Sequence, residues 1–126
     1  MKKIIFTTNA PAPIGPYNQA VLVGNTLYTS GQIALHPETG ELVVSDIEAE
    51  TQQVMENMKA VLAAAEMDFS HVVKTTIFIM NLGYFARINA VYARFFDEKT
   101  APARETVQVA CLPKNVNVEI AMIAIK

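Results

Sequence analysis

The feature that most constrains this chain is a run of apolar residues close to its end. Residues 116–125 carry mostly apolar side chains on both alternating sets of positions, a pattern typical of a β-strand that is covered on both faces. A single acid, Glu119, interrupts the run. Burial of a carboxylate costs several kcal/mol unless a partner binds it or its pKa shifts. We therefore expect Glu119 to have a specific partner or a specific role.

The residues before this run predict a partner strand for it. Residues 101–109 read as a strand, and the proline-containing break at 112–115 favours a turn. An antiparallel hairpin about this turn places Gln108 opposite Glu119, and it puts Arg104 and Thr106 on the same face of the sheet. Arg104 and Glu119 are then about four residues apart, roughly 13 Å along the strands. Two long side chains that lean inward leave a gap of the size of a small metabolite.

Length and composition indicate one globular domain over residues 1–126. Only 17% of the residues are charged, which favours burial of some surface against partner subunits. The formal net charge is −2 and no basic run occurs, so the electrostatic signature of nucleic-acid binding is missing. The single cysteine fits a reducing compartment, and no apolar run is long enough to cross a membrane. The expected location is cytoplasmic.

Turn signals and hydrophobic periodicity predict an α+β order of elements. Gly24-Asn25 marks a tight hairpin, and Ser45 with Glu48 matches a capping box at the start of a long helix. The predicted strands are 3–7, 20–23, 26–33, 72–80 and the C-terminal hairpin, and the predicted helices have apolar stripes over 47–65 and 84–96. Two helices cover only one face of such a sheet, so its second face is expected to lie between subunits.

Three polar or flexible positions are candidates for a pocket. The segment 9–17 contains three prolines and a glycine, which favours a stiff loop. This loop is either a plain connector or an arm that presents Tyr17 to a pocket. Gly31, after Ser30, indicates a bulge or the close approach of a backbone or ligand within a strand. Asn89 lies at the edge of the second helix's apolar stripe, either on the surface or in a pocket.

The sequence offers little support for metal, nucleotide or covalent chemistry. His36 and His71 lack companions at metal-ligand spacing, and glycine-rich phosphate and dinucleotide motifs are missing. Cys111 has no histidine beside it to activate a thiolate and reads as a small apolar filler. We therefore expect neither a metal nor a cofactor.

Arg104 and Glu119 remain as the chemically informative pair. The planar fork of an arginine binds a carboxylate through two parallel hydrogen bonds. A glutamate with restricted access to solvent can orient or deprotonate a water molecule. The alternative is a purely structural ion pair between Arg104 and Glu119. The residues alone do not decide between this ion pair and a catalytic role.

Several segments of the chain resemble the RidA/YjgF family of reactive-intermediate (enamine/imine) deaminases. The segments are 12–17, 29–33, 73–78, Pro102-Ala103-Arg104 and Val118-Glu119-Ile120, and the similarity covers essentially the whole chain. The resemblance implies a chorismate-mutase-like α+β fold, assembled as a homotrimer with active sites in the clefts between subunits. It also implies cofactor-free hydrolysis of 2-imino acids, formed from enamines such as 2-aminoacrylate, to 2-oxo acids and ammonia.

Carried over by position, the resemblance implies that Arg104 holds the substrate carboxylate and Glu119 activates the attacking water. The other implied substrate-binding residues are Tyr17, Ser30, Gly31, Asn89 and Thr106. Thr106 stands where well-known members carry cysteine, which leaves intact a mechanism that needs no covalent nucleophile. The further departures are Glu105, Cys111 and Ala121. Alternation of side chains points Glu105 away from Arg104, and we expect these three residues to affect substrate range or packing.

Three other functions stay open on the sequence alone. The first is a non-catalytic regulatory trimer that binds metabolites through Arg104 in the same cleft. The second is a nuclease or translation inhibitor, a role attached to some relatives, against which the acidic charge balance argues. The third is a chorismate mutase, which rests on fold analogy alone.

Overall fold

A computed structural model describes residues 1–126 as a six-stranded mixed sheet with two α-helices on one face. In chain order the elements are β1 (Lys2–Ile5), β2 (Ala20–Val23), β3 (Thr26–Thr29), α1 (Ile47–Ala64), β4 (Val72–Ile79), α2 (Phe85–Tyr92), β5 (Ala103–Gln108) and β6 (Val118–Ile125). Short 3₁₀ turns flank α2 and precede β4 and β6. The predicted α+β class with two helices is confirmed.

The long helix α1 forms because its apolar residues recur at helical spacing and its ends are capped. All predicted stripe residues are buried: Ile47, Val54, Met55, Met58, Val61, Leu62 and Ala65. The N-cap is Asp46, whose carboxylate accepts a hydrogen bond from the Ala49 N–H at 2.7 Å, so the predicted cap at Ser45 is wrong by one residue. The helix ends in a Schellman motif with Glu66 at φ 58°.

The strand order β1-β2-β3-β6-β4-β5 contradicts the predicted C-terminal hairpin. β5 runs parallel to β4, with Arg104 beside Thr75, and β6 inserts between β3 and β4, antiparallel to both. Strands that are neighbours in sequence usually pair, which favoured the hairpin. However, α2 supplies the crossover that a parallel β4–β5 pair needs, and the connection 109–117 is long enough to carry the chain across β4.

The two faces of the sheet differ in what covers them. Side chains such as Ile77, Ile79 and Ile120 point toward the helices and form the buried core. The opposite face carries Tyr28 and Val107, which are exposed, and Phe78, which is half-buried. No other element of the chain packs over these three side chains as a second layer of helices. No helix is long and apolar enough to span a membrane.

Candidate functional site

Glu119 lies in a pocket of about 400 Å³ on the face of the sheet that the helices leave open. Three segments form its walls: the proline-rich loop with Tyr17, the stretch 31–35 after β3, and the turn 113–114 before β6. Glu119 pairs with Phe78, and its neighbours Val118 and Ile120 point into the core. The alternation of side chains along β6 therefore directs the Glu119 carboxylate into the pocket.

Gly31 makes room for this carboxylate. β3 ends at Thr29, four residues earlier than predicted, and the chain pairs with β6 again only at the Gln32–Ile120 bridge. A Cβ atom at Gly31 would overlap the Glu119 carboxylate, with the carboxyl carbon only 2.7 Å away. The pairing with β6 shifts by one residue between Tyr28–Ile123 and Gln32–Ile120, which confirms the predicted bulge. The group that approaches Gly31 is a side chain of the same protein, not the backbone or ligand of the alternative expectation.

The Glu119 carboxylate accepts no hydrogen bond and forms no ion pair within the chain. It is half-buried, and desolvation by the surrounding protein raises its pKa above the usual value of 4.5. A carboxylate that is unpaired, partly dehydrated and open to a pocket can accept a proton from a bound water molecule.

Arg104 lies on the other face of the sheet, against α2. Its guanidinium group is 5.0 Å from the ring centroid of Tyr92 and 5.5 Å from that of Phe85. One N–H donates to the Asn89 side-chain oxygen at 2.7 Å. No carboxylate pairs with Arg104, so most of its five N–H donors are available to a ligand. This arrangement fixes the fork and leaves it ready for a carboxylate.

A second pocket, of about 650 Å³, surrounds Arg104. Tyr92, Phe96 and Pro102 form the apolar part of its wall, and Asn89 and Glu98 contribute polar groups. Tyr92 is fixed by donating a hydrogen bond to the Thr75 hydroxyl at 3.0 Å, and burial raises the pKa of its phenol. Thr106 is on the same face as Arg104, and its hydroxyl is buried without a hydrogen-bond partner.

Within one chain, Arg104 and Glu119 do not share a pocket. Arg104 is level with Thr75 and Glu119 with Phe78, so they are three residues apart along β4 and on opposite faces of the sheet. The predicted single face for both is wrong because the hairpin that implied it does not form. The alternative of an internal Arg104–Glu119 ion pair is excluded for the same reason. Glu105 points away from Arg104, as predicted, and binds Lys74 at 3.3 Å.

The structure thus divides the predicted site residues into two groups. Arg104, Asn89 and Thr106 lie on the helix side, and Tyr17, Gly31 and Glu119 lie on the open side. Ser30 does not line the Glu119 pocket, since its hydroxyl donates to the Asn18 carbonyl at 2.6 Å. This hydrogen bond joins Ser30 to the loop that carries Tyr17. No cluster of three or more histidine, cysteine, aspartate or glutamate side chains could hold a metal ion.

Sequence reasoning missed several residues that shape these pockets. Lys114 lines the Glu119 pocket with its backbone in the left-handed region, at φ 55°. Phe85 and Tyr92 lie on the predicted apolar stripe over 84–96, and both rings also contact the Arg104 guanidinium group. Gln19, Glu50 and Asn57 are buried, and each forms hydrogen bonds with main-chain groups in or beside the Glu119 pocket. Glu50 and Asn57 have a detectable signal, because both are polar residues on the buried stripe of α1.

Comparison with known proteins defines the class. The family model described as Endoribonuclease L-PSP matches residues 7–126. The chain belongs to this family, the RidA/YjgF family. An Escherichia coli K12 protein named 2-iminobutanoate/2-iminopropanoate deaminase is 49% identical over 128 aligned residues, which cover 100% of this chain and 99% of the relative.

Two further relatives carry different descriptions. A Lactococcus lactis protein that is named for a regulatory role, AldR, is 54% identical over 97% of this chain and 96% of its own length. The crystal structure of Escherichia coli TdcF with bound serine superposes with a TM-score of 0.92 at 47% identity, and the match covers 98% of each chain. The fold of this chain is therefore that of the solved family members.

Proposed function

We propose that this protein hydrolyses 2-imino acids, formed from reactive enamines such as 2-aminoacrylate, to 2-oxo acids and ammonia without a cofactor. The observation that carries the proposal is the unpaired guanidinium group of Arg104, held by Asn89 and two aromatic rings. Such a fork suits the carboxylate of a small organic acid. The deaminase name of the E. coli relative and the serine bound to TdcF support the same ligand class.

In the proposed reaction, Arg104 binds the substrate carboxylate and Glu119 acts as the general base. Glu119 takes a proton from water as the new C–O bond forms at the iminium carbon, and the C=N π electrons move to nitrogen. The protonated Glu119 then returns a proton to the amino group of the carbinolamine. As the C–N bond breaks and ammonia leaves, the regenerated Glu119 carboxylate takes the proton of the carbinol hydroxyl, and the carbonyl forms. The released ammonia then accepts this proton from Glu119 and departs as ammonium, which restores the ionised carboxylate. The iminium carbon is already electrophilic, so positioning and a proton transfer worth roughly 10²–10⁴-fold are sufficient.

We further propose that the substrate lies between two subunits of a homotrimer. Because Arg104 and Glu119 lie on opposite faces of the sheet, one chain alone does not present both groups to one small molecule. The open face exposes Tyr28 and Val107, which are large side chains of the kind that a partner subunit covers. In this arrangement the Arg104 side of one subunit faces the Glu119 side of its neighbour. The proposed location is the cytoplasm.

A coupled assay tests the enzymatic proposal. A threonine dehydratase generates the imine, semicarbazide traps it, and a deaminase lowers the yield of the semicarbazone. We expect wild-type protein to suppress trapping, and Arg104→Ala and Glu119→Gln to lose this effect. Arg94→Ala and Glu56→Gln are matched controls, because these exposed residues lie outside both pockets. Wild-type protein that leaves trapping unchanged would contradict the proposal.

The alternative is a regulatory protein that binds the same acids without turnover, which the name of the L. lactis relative favours. Calorimetric titration with 2-oxobutanoate separates the two functions. Binding that depends on Arg104, together with unchanged trapping, supports the regulator. The family description also names an endoribonuclease, and incubation of highly purified protein with RNA tests that activity directly.

A further inference from the structure

The buried polar side chains of this protein differ in which segments they bind through hydrogen bonds. Six are buried: Gln19, Gln32, Glu50, Thr51, Asn57 and Thr75. A buried polar group is costly unless it is hydrogen-bonded, so its partners show what it holds. Thr51 bonds only to Ile47 within its own helix. By contrast, Gln19, Glu50 and Asn57 all bind main-chain groups of segments that adjoin or form the Glu119 pocket.

Gln19 holds the base of the proline-rich loop. Its side-chain oxygen accepts from the Thr7 N–H at 2.8 Å. Its amide nitrogen is within hydrogen-bond distance of the carbonyls of Thr7, Ala10 and Pro11, at 3.0, 3.2 and 2.9 Å. Pro11 begins the wall of the pocket that continues to Tyr17. One buried amide therefore fixes where this wall starts.

Asn57, on α1, holds the second wall. Its amide nitrogen donates to the carbonyls of Ile33 and Leu35, at 3.0 and 2.9 Å, and its oxygen accepts from Gln53 at 2.9 Å. Ile33 and Leu35 both line the Glu119 pocket. The segment after Gly31 has no continuous strand pairing, so this side chain supplies hydrogen bonds that a ladder would otherwise provide.

Glu50, two turns earlier on the same helix, acts closest to Glu119. Its carboxylate accepts from the Asn117 N–H at 2.7 Å, from the Val118 N–H at 3.2 Å and from the Asn117 amide at 2.8 Å. Glu50 is fully buried and has no cationic partner. Its three donors therefore come from the two residues that immediately precede Glu119 in the chain.

We propose that Glu50 is a positioning residue that fixes the start of β6 and thereby the place of Glu119 in its pocket. Gln19 and Asn57 fix the facing walls in the same manner. For its effect on the reaction rate, this proposal rests on the proposed function. Its structural part does not, because the place of Glu119 can be measured without turnover.

The substitutions at Glu50 separate positioning from charge and from packing. Glu50→Gln removes the negative charge but keeps an oxygen for the two backbone N–H groups, and Asn117 can turn its amide to face the new NH₂ group. Glu50→Met has a similar shape and accepts none of the three hydrogen bonds. Thr51→Val is the matched control, since it removes a buried hydroxyl of α1 that does not reach β6.

The first measurement is an NMR titration of the Glu119 side-chain carboxyl, with its assignment confirmed by Glu119→Gln. The other titratable groups that line this pocket are Tyr17 and Lys114. We expect Glu50→Gln and Thr51→Val to keep the raised pKa of Glu119. We expect Glu50→Met to move it toward the ordinary value, because the strand start loosens and water reaches the carboxylate. A folded Glu50→Met that titrates like the wild type would overturn the proposal, as would an equal shift in Thr51→Val.

The second measurement is turnover in the trapping assay. We expect Glu50→Met to lower kcat by roughly 10–100-fold with little change in KM. We expect Glu50→Gln to keep kcat close to the wild-type value. Wild-type protein without turnover ends the deaminase proposal, but the titration still decides the role of Glu50. If Glu50→Met does not fold, Asn117→Leu is the substitute, because it removes one of the three donors to Glu50. We then expect a smaller shift of the Glu119 pKa in the same direction. An unchanged pKa of Glu119 in that variant contradicts the proposal.

Discussion

At the scale of single residues, the environment of Glu119 makes a prediction about stability. Burial raises its pKa in the folded protein, so its contribution to folding is fully present below its ordinary pKa and is lost as pH rises through the folded value. We therefore expect Glu119→Gln to be more stable than wild type at pH 7–8, with the difference shrinking toward pH 4. Denaturant unfolding across this pH range measures it. Glu56→Gln, at an exposed site, is the control, and a Glu119→Gln gain that grows toward acid pH would contradict the prediction.

The same shift predicts the acid limb of the activity profile. A general base works only when ionised, so activity should fall as pH decreases through the raised pKa of Glu119. The midpoint in a plot of kcat/KM against pH is expected above 4.5, the usual pKa of a glutamate. A limb at or below that value would show that Glu119 is not the group that limits the reaction.

Arg104 predicts a second effect at this scale. Arg104→Lys keeps the positive charge but loses the planar fork and the stacking on Tyr92 and Phe85. We expect KM for the imino acid to rise about tenfold or more, since the paired hydrogen bonds to the carboxylate are lost. Steady-state kinetics beside Arg94→Lys, an exposed control, measures the change. Equal KM values for Arg104→Lys and wild type would show that the fork does not bind the carboxylate.

At the scale of elements, the end of α1 predicts a stabilising substitution. Glu66 occupies the left-handed position of a Schellman motif, where its N–H donates to Ala63 and the next N–H donates to Leu62, both at 2.9 Å. Glycine adopts this conformation without the steric cost that a Cβ atom carries. We expect Glu66→Gly to raise the free energy of unfolding by about 0.5–1 kcal/mol.

Glu66→Ala is the control for this prediction, because alanine keeps the Cβ atom and should give no comparable gain. Both substitutions remove the 3.8 Å contact between Glu66 and Lys126, which is exposed and contributes little. Chemical denaturation of the three proteins at one concentration measures the differences. A gain in Glu66→Ala as large as that in Glu66→Gly would assign the effect to the lost carboxylate.

At the scale of the whole molecule, the two-sided placement of Arg104 and Glu119 predicts complementation between subunits. Arg104→Ala and Glu119→Gln are each expected to be inactive, but subunits mixed at equal amounts should regain activity. If each site takes Arg104 from one subunit and Glu119 from its neighbour, about a quarter of the sites in random trimers are intact. Light scattering after size-exclusion chromatography measures the mass of the assembly. Mixed subunits that stay inactive, or a monomeric mass, would contradict the shared site.

The sequence predicted local features far better than pairing. The stripe of α1 and the close approach at Gly31 follow from the period of apolar residues and from the missing Cβ atom, which are properties of short segments. The predicted pairing of β5 with β6 was wrong, because a strand of that composition can pair with either β4 or β6. The predicted helix between the two strands permits a parallel crossover, but the order of elements alone does not decide whether β5 pairs with β4 or with β6.

The sequence by itself determined the α+β class, the two helices and the chemical character of the two proposed site residues, Arg104 and Glu119. These follow from side-chain chemistry and from periodicity, which are already present in the unfolded chain. Only the tertiary structure decided that the two groups lie on opposite faces of the sheet, and that Glu50 reaches β6 from α1. Such relations depend on strand order and helix packing, which a chain acquires only when distant segments bury their apolar surfaces together.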